Sequence, residues 1–283
     1  MGKVLRYLTT DATVMAMVLD STDIVRQAEQ IHQPSAVVTA ALGRTLTAAS
    51  MMGMMLKGKN DSVTLRVDGG GPIGGITAVS DSEGNVRGCV KNAVVELPLR
   101  PDGKLNVGAA VGRDGMLTIS RDTGSKEPYV GMTPLVSGEI AEDITAYYAQ
   151  SEQTPTVCAL GVLVNPDLTV RTAGGFLVQL LPFCPNSVID RLEANVAKLE
   201  SMTAMLDRGL TPSDIVAKIL DGFTYDLLDE SEPQYRCTCS REKLADVLGG
   251  MAGKEELADE NGKIEAVCSF CNTVYTFSAD EFV

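Results

Sequence analysis

Apolar residues recur along the chain with two different periods, and the changes between them mark out its parts. Val14 to Leu19 form an unbroken, β-prone apolar run, which predicts strands over 1–20. Residues 22–33 have a helical pattern, and Pro34, suited to a first helical position, opens a longer helix to about Lys57. Lys57-Gly-Lys-Asn-Asp61 makes a turn, after which Val63, Leu65 and Val67 alternate with polar residues as a half-buried strand does. From there to about Leu135, short strands are punctuated by turns such as Ser82-Glu-Gly84, Asp102-Gly103 and Asp114-Gly115. Residues 138–151 return to helix, with Ile140, Ile144 and Tyr147 on one stripe, and two strands follow at about 156–164 and 168–181. The pattern predicts a mixed α+β domain over residues 1–182.

Residues 183–236 differ in character. Ser187-Val-Ile-Asp190 has capping-box form, and Val188, Leu192, Val196, Leu199 and Leu206 keep helical spacing to a stop at Gly209. Thr211-Pro-Ser-Asp214 has the same form, with Pro212 at the first helical position of a short helix to Leu220. These are two amphipathic helices, a helical linker and not a flexible tether; 226–236 is acidic and loop-like. Residues 237–283 form a small C-terminal unit in which Asn261-Gly262 turns into a strand at 263–267, answered by another at 273–277, a β-hairpin.

Composition adds exclusions. Of the 283 residues, 45% are hydrophobic and 22% charged, which excludes disorder along the whole length. The net charge of −13 repels phosphate backbones and anionic lipid, so nucleic acid and membrane are not expected partners. The apolar stretch at 35–56 is interrupted by Arg44 and diluted by Thr39, Thr45, Thr47 and Ser50, as suits a buried core helix better than a membrane span. The one histidine, His32, excludes sites that need two, and no GxSxG elbow accompanies it. No secretory signal opens the chain, so a cytoplasmic location with reduced thiols is expected.

Seven cysteines are present, four of them as Cys237-Thr-Cys239 and Cys268-Ser-Phe-Cys271, with 28 residues between the pairs. Four thiolates in two close pairs suit one tetrahedral Zn²⁺ in a closed structural site. Four unrelated core cysteines are the plain alternative. Zinc keeps thiols in the thiolate form, which is also the oxidisable form. Oxidation to disulfides would remove all four donors. A unit of about 47 residues has little core of its own, and structural zinc supplies roughly 10–16 kcal/mol of folding free energy in finger peptides, so oxidation should unfold it. Most such sites are inert, however, and spacing alone leaves a structural site and a redox switch both open. Residues 225–283 hold five basic and thirteen acidic residues, a net of −8, which disfavours a nucleic-acid ribbon. Four protein thiolates leave no open position for catalytic zinc.

Other signals are weaker. Gly69-Gly-Gly71-Pro-Ile-Gly74 matches a dinucleotide fingerprint, but Ile76 to Val79 continues as a strand where a helix must open, so no nucleotide is expected. Met51, Met52, Met54 and Met55 suit helical core packing better than an adaptable binding face. Cys89 and Cys158 sit in apolar strand-like segments as core thiols, and Cys184 lies at a domain boundary with no assigned role.

The cysteine motifs with Ser240-Arg-Glu and Asn272-Thr-Val-Tyr275 resemble the C-terminal zinc motif of the redox-regulated heat-shock holdases, the 33 kDa chaperonin family. So do Leu117-Thr-Ile-Ser-Arg-Asp122 with Pro128-Tyr-Val-Gly131, Ser137 to Asp143 with Tyr148 and Ser151-Glu-Gln153, and Ala173-Gly-Gly175 with Gln179-Leu-Leu-Pro182. The resemblance spans essentially the whole chain; Phe183-Cys184 departs from it, where the family more often has small residues.

The resemblance implies an ATP-independent chaperone, not an enzyme. Cys237, Cys239, Cys268 and Cys271 would hold one Zn²⁺ in a reduced, inactive, monomeric form. Peroxide or hypochlorite would close Cys237–Cys239 and Cys268–Cys271 disulfides, release zinc and unfold the linker and zinc domain. The exposed surface would bind unfolding client proteins, and the oxidised protein would be a homodimer. Two other readings predict different things: an enzyme needs a deep polar pocket in residues 1–180, and a zinc adaptor would bind one folded partner regardless of oxidant.

Overall fold

A computed structural model describes residues 2–251 and 254–282. The chain begins with β1 (Lys3–Thr9), β2 (Val14–Asp20), α1 (Thr22–His32) and α2 (Ala36–Gly53). Then come β3 (Ser62–Gly70), β4 (Ile76–Asp81), β5 (Val86–Val90), α3 (Val107–Val111), β6 (Gly112–Asp122), β7 (Tyr129–Pro134) and α4 (Ala141–Gln150). β8 (Thr156–Val164) and β9 (Val170–Leu180) precede α5 (Asn186–Val196), α6 (Met202–Asp207), α7 (Pro212–Ile219) and β10 (Tyr225–Ser231). The last elements are α8 (Arg241–Gly249), β11 (Lys263–Val267) and β12 (Val274–Ser278). The fold is mixed α+β, and its contacts divide it into two compact units, 1–235 and 236–283.

The first unit has two five-stranded antiparallel sheets, ordered β10-β1-β2-β9-β8 and β5-β4-β3-β6-β7. The buried helix α2 packs against strands of both. Thr45 and Thr47 are satisfied within the helix, donating to the carbonyls of Ala41 and Gly43, and Ser50 donates to the Gly84 carbonyl. Gly53 is required there, because a Cβ would stand 2.3 Å from the carbonyl oxygen of Asp81. Arg44, the interruption in the apolar stretch, reaches Glu139 at 2.6 Å. No described helix is long and apolar enough to cross a membrane.

The apolar run of β2 serves two cores. Met15, Met17 and Leu19 face α1 and α2, whereas Val14, Ala16 and Val18 face Leu192, Met202, Met205, Ile215 and Ile219. Helices α5 to α7 therefore lie as a lid over one face of the first sheet. Burying an aliphatic side chain fully contributes about 1.5–3 kcal/mol, and Ile215, Val216 and Ile219 are all fully buried.

Several expectations need correction. The helix expected from Pro34 begins at Ala36, with Ser35 in the cap position and its hydroxyl donating to the Val95 carbonyl, and ends at Gly53, not at Lys57. The single helix expected from Val188 to Leu206 is two, because Ser201 caps α6 by accepting from Ala204 N–H. The Ser187–Asp190 box does not form, since the helix begins two residues earlier, with Pro185 at its cap. The Thr211–Asp214 box makes both reciprocal bonds, at 3.2 and 2.8 Å. The largest correction concerns 226–236: Tyr225–Ser231 is a strand, β10, paired antiparallel with β1. The short helix α3 has no counterpart in the expected elements. The glycine-rich segment after β3 is a turn leading into β4, as its sequence suggests. Met51, Met52 and Met54 are buried in the core.

Candidate metal centre

The second unit has a very small core. Leu248 of α8, Ile264 of β11 and Phe277 of β12 are its buried apolar side chains among the described residues, apart from Cys268. Ser240 caps α8 by accepting from Lys243 N–H, and Lys243 Nζ reaches the Thr238 carbonyl at 2.8 Å, which fixes the Cys-x-Cys backbone. Arg241 lies over the Phe277 ring and bonds Glu281, tying α8 to the C-terminal residues.

β11 and β12 form the expected hairpin, in register from Lys263↔Ser278 to Val267↔Val274. The tight turn between them carries the second cysteine pair. Cys271 and Asn272 both donate backbone N–H to the Cys268 carbonyl, Cys268 donates to the Thr273 carbonyl, and Asn272 takes a left-handed φ of 56°. Asn tolerates that conformation better than most residues, because its side chain bonds locally.

These elements bring all four cysteines together: the Sγ atoms of Cys237, Cys239, Cys268 and Cys271 lie within 4.8 Å of one another. Cys237 and Cys268 are 3.7 Å apart, Cys239 and Cys271 3.4 Å. Tetrahedral zinc with Zn–S of about 2.3 Å requires sulfur–sulfur edges of about 3.8 Å. The donor set and its spacing therefore fit such an ion and could hold it.

The sulfurs differ in their electrostatics. Burial pushes the Cys237 thiol up to about 12, with the neighbouring sulfurs adding to the shift. Burial raises Cys268 too. Burial also acts upward on Cys271, but hydrogen bonds from Thr273, whose Oγ1 is 3.1 Å away, and from neighbouring sulfurs outweigh it and hold the group at about 7. Tyr275 Oη lies 3.2 Å from Cys239 Sγ, and that bond pushes the phenol up to about 12. Spacing indicated the four cysteines; it did not indicate Thr273 or Tyr275 as their neighbours, because both contacts depend on the register of the hairpin.

The remaining cysteines stand apart. Cys158, on β8, packs against the main core, where desolvation pushes its thiol up to about 12. Cys89 is on β5, and Cys184 follows β9 with its thiol raised by burial and by Asp11. His32 ends α1 and contacts Gly88 and Tyr235. A cleft of about 510 Å³ in the first unit is lined by residues of the 195–221 segment, and one of about 310 Å³ by Thr9, Thr10 and Asp11 with Ser187, Arg191 and Phe223.

Comparison with known proteins adds family evidence. The family model described as Hsp33 protein matches residues 2–278. The 33 kDa chaperonin of Clostridioides difficile is 48% identical over 283 residues, covering 99% of this chain and 97% of the relative. That of Lachnoclostridium phytofermentans is 46% identical over 280 residues, covering 98% and 96%. The crystal structure of the 33 kDa chaperonin (heat shock protein 33 homolog) of Thermotoga maritima superposes with a TM-score of 0.91 at 37% identity, covering 99% of this chain and 96% of that one.

Proposed function

The chain belongs to the Hsp33 family, and from that premise we propose that it is a redox-switched, ATP-independent holdase of the cytoplasm. Residues 237–283 are the sensor, 183–236 the element released, and 1–182 the scaffold. Cys237, Cys239, Cys268 and Cys271 hold one Zn²⁺ in the reduced, inactive form. The observation that carries this reading is the meeting of four sulfurs at metal-ligand spacing in a unit whose described residues include three buried apolar side chains besides Cys268. Bound zinc would supply the folding free energy that so small a core lacks.

The oxidation balances simply. Two thiols of a pair lose two electrons and two protons and form one S–S bond; one peroxide O–O bond breaks, giving two waters. The four cysteines take two equivalents. The four-sulfur cluster does not by itself select partners. The pairs Cys237–Cys239 and Cys268–Cys271 are those that the resemblance to the family implies. Disulfide sulfurs are poor donors, so oxidation releases the ion and the unit loses its main support.

The sensor is joined to the released element directly along the chain. With the lid of α5 to α7 loosened, Leu192, Met205, Ile215 and Ile219 become an apolar surface for unfolding clients. The oxidised protein pairs as a homodimer. Nucleic acid, nucleotide and membrane have no part in this function, and it includes no catalysis.

Light scattering from a thermally unfolding client tests the proposal. The oxidised protein suppresses aggregation, the reduced zinc-loaded protein does not, and thiol plus zinc reverses the effect. Equal behaviour of both forms would make the metal merely structural.

A further inference from the structure

β1 is paired on one side with β2 and on the other with β10, the edge strand of its sheet. None of the seven residues of β10 is buried, whereas Val4 and Leu5 of β1 belong to the core. β10 is held by backbone pairing, from Thr9↔Tyr225 to Val4↔Ser231, by two ion pairs, Lys3–Glu230 at 2.7 Å and Arg6–Asp229, by the Tyr225 ring against Tyr7, and by Ser231, whose hydroxyl donates to the Glu83 carbonyl. Beyond β10 the segment also touches the edge of the second sheet, where Val86 N–H donates to the Gln234 carbonyl and Tyr235 bridges to Val86. Residues 225–235 thus cover one edge of each sheet.

An uncovered edge strand presents unpaired N–H and C=O groups, and an extended peptide satisfies them by adding as a strand. The resident strand indicates the chemistry that β1 accepts: alternating side chains with a carboxylate opposite Arg6 and another, opposite Leu5, within reach of Lys3. Arg6 also donates to the Met54 carbonyl at 3.3 Å, which would keep its guanidinium in place when β10 leaves.

We propose that the edge of β1 is a receptor strand that takes an extended client segment bearing carboxylates at the positions of Asp229 and Glu230. This rests on the reading that oxidation opens residues 183–236. It adds a second mode of client capture: the apolar lid supplies non-directional burial, and β1 supplies backbone pairing that tolerates many sequences.

The test uses the full chain and a fluorescein-labelled peptide of residues 224–231, Thr-Tyr-Asp-Leu-Leu-Asp-Glu-Ser, followed by anisotropy, with limited proteolysis of 183–235 in the same samples. The peptide binds the oxidised protein at least roughly tenfold more tightly than the reduced protein, and unlabelled peptide displaces a captured client. Proline at the Asp226 position of the peptide, which pairs with Leu8, abolishes binding by removing a backbone donor to β1. Peptides with Asp229→Asn and Glu230→Gln bind roughly two- to fivefold more weakly, as expected for exposed ion pairs. A Lys3→Glu protein recovers affinity for a Glu230→Lys peptide. No binding to an oxidised protein whose 225–235 segment is protease-sensitive overturns the receptor strand. A segment still protected, on its own chain or on a second copy, with no binding overturns the underlying reading and the receptor strand together.

Discussion

Tyr235 donates its hydroxyl to the Gly88 carbonyl at 2.8 Å, two residues before the first cysteine of the metal centre. The chain is thus fastened to β5 immediately before the second unit begins. Tyr235→Phe removes that bond together with the hydroxyl's contacts to His32 Nε2 and Gly88 N–H, a loss of about 1 kcal/mol or more. Hydrogen exchange of residues 225–235 in the reduced protein should quicken by roughly fivefold, and client protection should appear at lower oxidant. Unchanged exchange would show that this fastening does not restrain the segment.

The lid offers a larger effect. Ile215 and Ile219 are fully buried against β2, and truncating either to alanine leaves a cavity costing about 2–5 kcal/mol. Ile215→Ala or Ile219→Ala should give a reduced, zinc-loaded protein that already suppresses client aggregation in part. A variant with a protease-sensitive lid and no such activity would separate lid opening from client binding.

Proton release reports on the centre. With Cys237 pushed up to about 12 and Cys268 also raised, both are thiols near neutral pH in the metal-free site, whereas Cys271 at about 7 is half ionised. A metal takes up thiolates, so zinc binding at pH 7 must expel roughly two protons or more, and affinity falls as pH falls. Titration calorimetry in buffers of different ionisation enthalpy measures this. Release of one proton or none would contradict a four-thiolate site.

Cysteine reactivity should be selective. Cys158 is desolvated, and its thiol is pushed up to about 12, so it stays protonated and inert at neutral pH. Peroxide footprinting by mass spectrometry should find it reduced after the four clustered cysteines have oxidised. Cys158→Ser should leave zinc content and oxidative activation unchanged.

The scaffold has its own anchor. Asp143 is buried and accepts backbone N–H bonds from Val136, Ser137, Gly138 and Ile140, holding the loop that begins α4. Asp143→Asn replaces charge-assisted bonds and should cost about 1.5–3 kcal/mol, lowering the Tm of the first unit by roughly 3–12 °C without altering zinc content. Calorimetry beside metal analysis checks both.

Much of this architecture is legible in the sequence, where local chemistry and tertiary context agree. Thr211 and Asp214 cap α7 with Pro212 at its first position, as written in four residues. The spacing of the four cysteines indicated the four side chains whose sulfurs meet. β10 was hidden, because Asp226, Asp229 and Glu230 make the segment look like a solvated loop; its strand character comes from β1 and from the cations Lys3 and Arg6 more than two hundred residues away in sequence. The break between α5 and α6 was masked by apolar spacing that runs on through Leu199, although Ser201 is a good helix cap. Tyr275 lies beside Cys239 through the β11–β12 register, which no local pattern encodes.

The central claim is that loss of the four-thiolate site and gain of client binding are one event. The most direct test follows both in a single peroxide time course: released zinc by a chromogenic chelator, and suppression of client aggregation in quenched aliquots. One zinc per chain should be released, with activity rising in proportion and both reversed by thiol plus zinc. Full activity with zinc retained, or complete zinc release with no activity, would contradict the account.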